Sequence, residues 1–170
     1  MYTKIYDDLF EGAVRAYWVE CPDWRYLKAQ GIAESALDPN AVSEVNAQGL
    51  MQFMRDTWRD WAARLNFPAE ATPFMPKYAI PAGAAYMADR WRAWNNPRRA
   101  RMDRLRLAWA SYNAGFGHLL AAQSLANGAL EFDRIMAKLP AVTGEVNAHE
   151  TSTYVANILA AYAKLIAEKP

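Results

Sequence analysis

A glutamate stands at the end of one predicted helix, in a position that suits acid–base chemistry. Trp24, Leu27, Gly31 and Glu34 follow one another at spacings of three, four and three residues, which places them on one helix face. A carboxyl group at the end of such a stripe lies near the core or at the edge of a cleft, where partial burial raises its pKa and favours the protonated form. The alternative, which periodicity alone favours, is a glutamate that points past the core into solvent.

Helical periodicity runs through nearly the whole chain and must supply the framework that holds this residue. No alternating strand pattern persists beyond a few residues, and the sequence has no internal repeat. We therefore expect an all-α or mostly α single globular domain over residues 1–170. The predicted helices cover residues 7–17, 22–35, 57–65 (capped by Asp56), 80–94, 98–113, 116–126 and 150–168, with a short helical turn at 49–54.

The composition is that of a globular protein with no metal or nucleic-acid signature. The 170 residues are 53% hydrophobic and 22% charged, which excludes a disordered chain. The net charge is +1, whereas proteins that bind nucleic acid by neutralising phosphates carry a clear basic excess. Cys21 cannot close an intramolecular disulfide alone, and with His118 and His149 it does not complete a zinc site. We expect no cofactor, no metal and no nucleic-acid partner.

The sequence also bears on where the chain acts. No apolar run approaches the roughly 18 residues that a membrane span needs, so we expect no stable membrane insertion. Asp7, Asp8 and Glu11 occupy the region in which a secretory signal has its apolar stretch. If Met1 is the true start, these residues predict synthesis in a cytosol without an export signal.

Four short motifs extend the argument beyond the single glutamate. They are ESALDPNAVS from Glu34, GLMQFM from Gly49, ASYNAG from Ala110 and ETSTYV from Glu150. In this order, and with a weaker match over residues 79–86, they resemble the SLT domains of lytic transglycosylases, which are relatives of goose-type lysozyme. The motif-bearing core covers about residues 22–165.

Three positions depart from the family pattern. The family usually has glycine, proline and phenylalanine where this chain has Asn46, Arg55 and Leu37. None of these differences removes a group that the family reaction needs. They bear on the groove wall and therefore on substrate preference.

The resemblance implies a lysozyme-like domain with a substrate groove, and it implies a reaction. Members cleave the β-1,4 bond between N-acetylmuramic acid and N-acetylglucosamine in peptidoglycan and leave 1,6-anhydromuramoyl ends. Glu34 then protonates the glycosidic oxygen as general acid and accepts the proton of the muramic O6 hydroxyl as general base. One carboxyl group suffices, in contrast to the pair that most glycosidases use. We interpret the nearest other acids, Asp38 and Glu44, as a turn residue and a solvated loop charge.

The same resemblance assigns the substrate-binding residues. Ser43 matches a serine near the catalytic carboxyl and the substrate acetamido group, although a serine here is also typical of a loop cap. The Tyr112 phenol is expected to point at the Glu34 region. Glu150 closes the other side of the site, or serves only as an acid that favours a helix N-terminus. Gln52 and Asn113 are expected to be amide partners of the sugars. Phe53 and Met54 are expected to line or back the groove, whereas Met51 is interpreted as core. Tyr154 is expected beside Glu150.

Two alternatives to the transglycosylase hypothesis stay open. A muramidase on the same fold admits water in place of O6, and a non-catalytic module binds peptidoglycan or forms a structural part of a larger assembly such as a virion. Small size, the lack of an export signal and the lone cysteine favour a bacteriophage lysis enzyme (an endolysin) or a virion-associated enzyme. Such a protein is made in the host cytoplasm and acts at the cell wall. We expect a monomer whose partners are peptidoglycan glycan strands.

A run of arginines forms a further charged feature of the sequence. The run is relieved only by Asp103. It indicates either a surface for anionic cell-wall or lipid groups or, as charge runs more often do, a solvated helix face. Its members are Arg98, Arg99, Arg101, Arg104 and Arg106.

Overall fold

The computed structural model describes residues 2–168, and these residues are mostly helical, which confirms the expected fold class. Apart from two isolated β-bridges, no strand pairing occurs within the described range. Met1, Lys169 and Pro170 of the expected domain lie outside it. The helices are α1 (Asp7–Tyr17), α2 (Arg25–Ser35), α3 (Arg55–Arg64), α4 (Pro76–Ala93), α5 (Arg101–Ala114), α6 (Phe116–Leu125), α7 (Phe132–Met136), α8 (Pro140–Thr143) and α9 (Glu145–Ala167).

The described chain divides into two compact units, and each has buried apolar side chains of its own. The first unit holds the residues up to Ala88 together with those from Ile158 onwards, and the second holds Asp89–Asn157. Fully buried large apolar side chains of the first unit include Phe10, Trp18, Leu27, Leu50, Met51, Phe53, Ile80 and Met87. Those of the second unit include Leu105, Leu107, Trp109, Leu119 and Ile135.

The prediction of a helical turn at residues 49–54 is wrong. Gln48 and Phe53 exchange both backbone hydrogen bonds, at 2.9 and 3.0 Å, so the residues between them form a tight turn. Gly49 has a φ of +73° and Gln52 has a φ of +47°, values that a right-handed helix does not contain. This turn, and not a helix, carries the GLMQFM motif.

Helix starts in the first unit also differ from the expected ones. The second helix begins at Arg25 and not at residue 22. The third begins at Arg55, and Asp56 does not cap it; the Asp56 carboxylate instead lies 3.1 Å from the Arg59 guanidinium. The fourth begins at Pro76, because the fixed φ of proline suits a first helical position.

In the second unit, turn-forming residues set the helix starts. Asn96 accepts the Arg98 backbone N–H on its side chain at 2.9 Å and the Arg99 N–H on its carbonyl at 3.0 Å. This turn delays the start of α5 to Arg101. Gly144, with a φ of +83°, separates α8 from α9, which therefore begins at Glu145 and not at residue 150. The short helices α7 and α8 were not expected from periodicity.

Gly49 is predicted to tolerate no side chain. A Cβ atom built there lies 1.9 Å from the Pro73 carbonyl oxygen, and the φ of +73° is itself unfavourable for other residues. We expect Gly49→Ala to lower the free energy of unfolding by about 2 kcal/mol or more. Gly12→Ala is the matched control: it lies exposed in α1 with nothing within 4 Å of its added Cβ, so it should raise stability by roughly 0.5–1 kcal/mol. Urea titration of both variants decides, and an unchanged midpoint for Gly49→Ala would contradict the close approach.

Candidate active site

Glu34 is the penultimate residue of α2 and is half-buried. The helix cannot continue past Ser35, because Ala36 and Leu37 have φ values of +55° and +68°. The Ser35 hydroxyl donates a hydrogen bond of 2.9 Å to the Leu50 carbonyl oxygen. The end of the helix that carries Glu34 is therefore bonded directly to the turn that carries the GLMQFM motif.

Close packing and a buried ion pair hold the preceding turns of α2. At Gly31, a Cβ atom would lie only 3.1 Å from the Phe10 ring, so α1 and α2 approach each other closely there. Lys28 is 2% exposed, and its Nζ lies 2.5 Å from the Asp7 carboxylate. Removing the partly exposed Asp7 would cost about 3–5 kcal/mol, because it leaves the buried Lys28 charge without its ion-pair partner. These contacts restrain α2 within two turns of Glu34.

The N-terminus of α2 is held by a cluster around Asp23. Its carboxylate accepts hydrogen bonds from the Arg25 guanidinium at 2.6 Å and from the Tyr162 hydroxyl at 3.0 Å. Burial pushes the pKa of Asp23 upward, but the hydrogen bonds from Arg25 and Tyr162 outweigh burial and leave that pKa below its ordinary value. Burial, with hydrogen bonds to Tyr26 and Asp23, raises the pKa of Tyr162, whose ring stacks on Tyr26 at 3.9 Å.

Ser43 and Gln52 are half-buried residues that brace the segment after α2. The Ser43 Oγ accepts the Ala47 backbone N–H at 3.0 Å, so its own proton stays available for donation. Ser43 thus caps its loop, and this bond uses only its acceptor side. The Gln52 Nε2 donates to the carbonyls of Ala41 at 3.3 Å and Gly49 at 2.9 Å. Two carbonyl partners fix the amide orientation and leave Oε1 as the acceptor for a ligand.

The neighbouring apolar residues divide between core and surface. Phe53 is 1% exposed and meets the Trp58 ring at 5.6 Å, so the structure places it behind the turn and not on a binding surface. Met54 is 47% exposed and is available to line a groove. Met51 is fully buried, which confirms its interpretation as a core residue.

The second unit carries the other four predicted residues, two on α5 and two on α9: Tyr112, Asn113, Glu150 and Tyr154. The Thr151 Oγ1 lies 2.8 Å from the Asn113 Oδ1 and 3.0 Å from the Asn147 carbonyl oxygen, so this hydroxyl joins Asn113 to α9. Glu150 is exposed, whereas Tyr154 is 8% exposed. Because α9 begins at Glu145, Glu150 lies in its second turn, where the helix dipole is weak. The structure thus disfavours the helix-dipole alternative for Glu150. The expected approach of Tyr112 to Glu34 stays a prediction.

A cavity of about 400 Å³ in the second unit is lined by two of these residues and by others that sequence reasoning missed. His118 Nδ1 lies 2.7 Å from the Ala114 carbonyl oxygen, which leaves Nε2 as the other polar atom of the ring. His118 stands four residues after Ala114, near the start of α6, and this spacing is the sequence feature that could have pointed to it. The polar lining residues are Asn113, His118, Thr143, Asn147, Glu150 and Thr151, a set suited to hydroxyl and amide groups of a ligand.

Two features are absent from residues 2–168. No group of three or more histidine, cysteine, aspartate or glutamate side chains in this range is close enough to hold a metal ion. No helix in the same range combines the length and apolar character needed to cross a bilayer.

Comparison with known families settles the relationship. The model of the transglycosylase SLT domain matches residues 16–134. The chain belongs to the SLT domain family. The membrane-bound lytic murein transglycosylase F of Marinobacter nauticus is 35% identical over 159 residues, which cover 85% of this chain and 30% of that protein. The protein of the same name from Maricaulis maris is 36% identical over 126 residues, which cover 71% of this chain and 24% of that protein. This SLT domain thus spans 30% or less of the length of these relatives.

Solved structures confirm the lysozyme-like fold. The SLT domain superposes on the 70-kDa soluble lytic transglycosylase of Escherichia coli with a TM-score of 0.73 and 26% identity, covering 95% of this chain and 24% of that one. A complex of the 70-kDa soluble lytic transglycosylase with bulgecin A gives a TM-score of 0.75 at 26% identity, over 99% of this chain and 25% of that one. An inactive mutant of lytic transglycosylase Slt from Pseudomonas aeruginosa shares the fold at 22% identity, with a TM-score of 0.72 over 99% of this chain and 26% of that one.

The Asp23 cluster predicts an acid-sensitive part of the stability. A carboxylate whose folded pKa is lowered contributes stability above its unfolded pKa, here 3.8, and loses it as the pH falls through the folded value. We expect Asp23→Asn to be less stable than the parent at neutral pH and to lose less stability below about pH 4. Denaturant titrations across this range measure both effects, with exposed Asp60→Asn as the control. Parallel stability curves for parent and Asp23→Asn would contradict the assignment.

Proposed function

We propose that this SLT domain is a peptidoglycan lytic transglycosylase in which Glu34 acts alone as general acid and then as general base. The observation that carries the proposal is the placement of Glu34: it is half-buried at the fixed end of α2, beside a hydrogen bond from Ser35 to Leu50. The first step needs this carboxyl group in its protonated form. Membership of the SLT family supports the substrate class.

The proposed reaction balances with one proton and no water. Glu34 gives its proton to the glycosidic oxygen as the bond to the muramic C1 breaks, and positive charge develops on the muramic ring. The resulting carboxylate then accepts the proton of the O6 hydroxyl while O6 bonds to C1. The products are a free 4-hydroxyl and a 1,6-anhydro ring, and Glu34 ends protonated for the next cycle.

The surroundings of Glu34 support a mechanism with one carboxyl group. Asp38 is exposed, and its carboxylate accepts the Asn40 backbone N–H at 2.9 Å, which is the geometry of a turn residue. Glu44 is exposed in the following loop. Both match their interpretation as a turn residue and a solvated loop charge.

Ser43 and Gln52 provide complementary partners for an N-acetyl group. The Ser43 hydroxyl donates to the acetamido carbonyl, and the Gln52 Oε1 accepts from the acetamido N–H or from a sugar hydroxyl. Met54 contributes exposed apolar surface for a sugar ring. From the second unit, we assign substrate contacts to Tyr112, Asn113, Glu150 and Tyr154.

The proposed setting is the cell wall of a bacteriophage host, with the chain acting as a monomer on glycan strands during lysis or entry. The lone Cys21 is consistent with this setting, because the fold described contains no disulfide that requires an oxidising compartment.

The first test removes the acid–base group and keeps its shape. Glu34→Gln cannot donate or accept the transferred proton, so we expect turbidity loss of purified sacculi to slow by a factor on the order of 10²–10⁴. Glu44→Gln is the matched control, and it should retain parent activity. Sedimentation with sacculi and thermal unfolding should show that Glu34→Gln still binds and still folds. Full lysis by Glu34→Gln would refute the proposal.

The second test separates transglycosylase from muramidase chemistry. Closure by O6 yields anhydro ends that are lighter by one water than the reducing ends left by hydrolysis. We expect mass spectrometry of parent digests to show anhydro ends. Digests that contain reducing ends alone would assign the chain to the hydrolytic alternative.

A further inference from the structure

The cavity of about 400 Å³ in the second unit lies where two helices end and two others begin. Asn113 and Ala114 close α5, and Thr143 closes α8. His118 and Asn147 are each the third residue of a helix, of α6 and α9 respectively. Helix C-termini carry partial negative charge and helix N-termini partial positive charge, so these contributions oppose each other here. The side chains that line the cavity therefore decide which ligand it accepts.

His118 contributes a hydrogen-bond acceptor to this cavity. Its Nδ1 lies 2.7 Å from the Ala114 carbonyl oxygen, and a carbonyl can only accept, so Nδ1 carries a hydrogen. In the neutral ring the free lone pair then belongs to Nε2. The residue is exposed, which leaves Nε2 open to a ligand.

Asn147 and Glu150 add further acceptors on one face of α9. They are three residues apart, so their side chains are neighbours on the helix surface. The Asn147 Nδ2 donates to the Thr143 carbonyl at 2.9 Å, which fixes the amide and leaves Oδ1 as an acceptor. Glu150 is exposed, and both oxygens of its carboxylate are acceptors. Among the cavity residues within the described range, Glu150 carries the full charge, and none is a lysine or an arginine.

This set of groups matches a primary ammonium group. An ammonium group has three N–H donors, no acceptor and one positive charge, so its hydrogens find partners and the carboxylate finds a counter-ion. A sugar hydroxyl or an acetamido group brings no charge and would leave the carboxylate without a counter-ion. Acceptors that surround one negative charge therefore favour a cation that donates hydrogen bonds.

We propose that this cavity binds a primary ammonium group of peptidoglycan, with Glu150 as the counter-ion and with His118 Nε2 and Asn147 Oδ1 as further acceptors. The proposal rests on the proposed function, because it takes the ligand from the polymer that the enzyme would cleave. Such a group occurs in two places: on the side chain of a diamino acid in a stem peptide, and on an amino sugar that has lost its acetyl group. The cavity takes no part in bond cleavage and makes the domain prefer strands that carry free amines.

The first experiment measures sedimentation of the full chain with purified sacculi, in a Glu34→Gln background so that the polymer survives. Acetic anhydride converts the free amines of the sacculi into neutral amides and leaves the glycan strands intact. We expect this treatment to weaken binding by about three- to tenfold at low salt, because an ion pair at an exposed site is lost. Adding Glu150→Gln should cause a similar loss on untreated sacculi and make binding insensitive to acetylation.

Glu145→Gln is the matched control for net charge. Glu145 is exposed on the same helix and lies outside the cavity lining, so general electrostatic attraction changes equally in the two variants. This control should bind like the background chain and keep its sensitivity to acetylation. Glu150→Asp retains the charge and should keep part of that sensitivity. Equal behaviour of Glu145→Gln and Glu150→Gln, or background binding that ignores acetylation, would overturn the proposal.

Soluble glycan fragments identify the source of the amine. Isothermal titration compares a peptide-free acetylated fragment, the same fragment with one deacetylated sugar, and a fragment whose stem peptide carries a free amine. Tighter binding of the second or the third fragment, abolished by Glu150→Gln, assigns the cavity to the sugar amine or to the peptide amine respectively. Equal affinity for all three fragments would overturn the proposal. So would a loss in Glu150→Gln that is the same for all three, since Glu150 would then contact the sugar itself.

Cleavage by the chain with Glu34 intact tests the proposed function separately. Digests without anhydro ends, together with binding that depends on the amine, would refute the transglycosylase reaction and leave the ligand of the cavity as proposed. Digests with anhydro ends, together with binding that ignores the amine, would do the reverse.

Discussion

The hydrogen bond between the Ser35 hydroxyl and the Leu50 carbonyl joins the helix of the proposed acid to the turn of the proposed substrate contacts. Such a bond contributes only about 0.5–1.5 kcal/mol, so it cannot hold α2 by itself. Stronger interactions restrain the rest of the helix: close packing at Gly31 and the buried Lys28–Asp7 pair fix α2 as a body. With α2 fixed, the weak hydrogen bond at its end decides how the last turn faces the loop. Proton transfer demands that the acid be placed this accurately, because a catalytic group displaced by 1 Å loses much of the rate enhancement of the reaction.

Much of the fold followed from patterns that are local in sequence. Glu34 was located by the helical stripe that contains Gly31, and the break after it followed from the residue before a proline. Two of the shorter helices, α1 and α6, were predicted within a residue of their observed ends. These successes share one cause: the interactions that decide them lie within one or two helical turns.

The failures occur where distant or unusual backbone contacts decide the structure. The turn that ends at Gln52 requires a left-handed residue and a backbone bridge from Gln48 to Phe53, and neither leaves a periodic signal. Phe53 was expected to line or to back the groove, and the motif did not state which; its 1% exposure fits only a backing position. His118 was missed because its role depends on α8 and α9, which contribute the other walls of the cavity.

The fixed amide of Gln52 has a consequence for walls of different chemistry. Because its N–H groups are committed to the carbonyls of Ala41 and Gly49, the contact that we propose between Gln52 and a sugar uses only the amide oxygen. A glucosamine or muramic residue that lacks its acetyl group still offers an N–H donor to that oxygen. The same sugar no longer offers a carbonyl to the Ser43 hydroxyl. Under the proposed function, deacetylation of the wall would therefore remove one of these two contacts and spare the other.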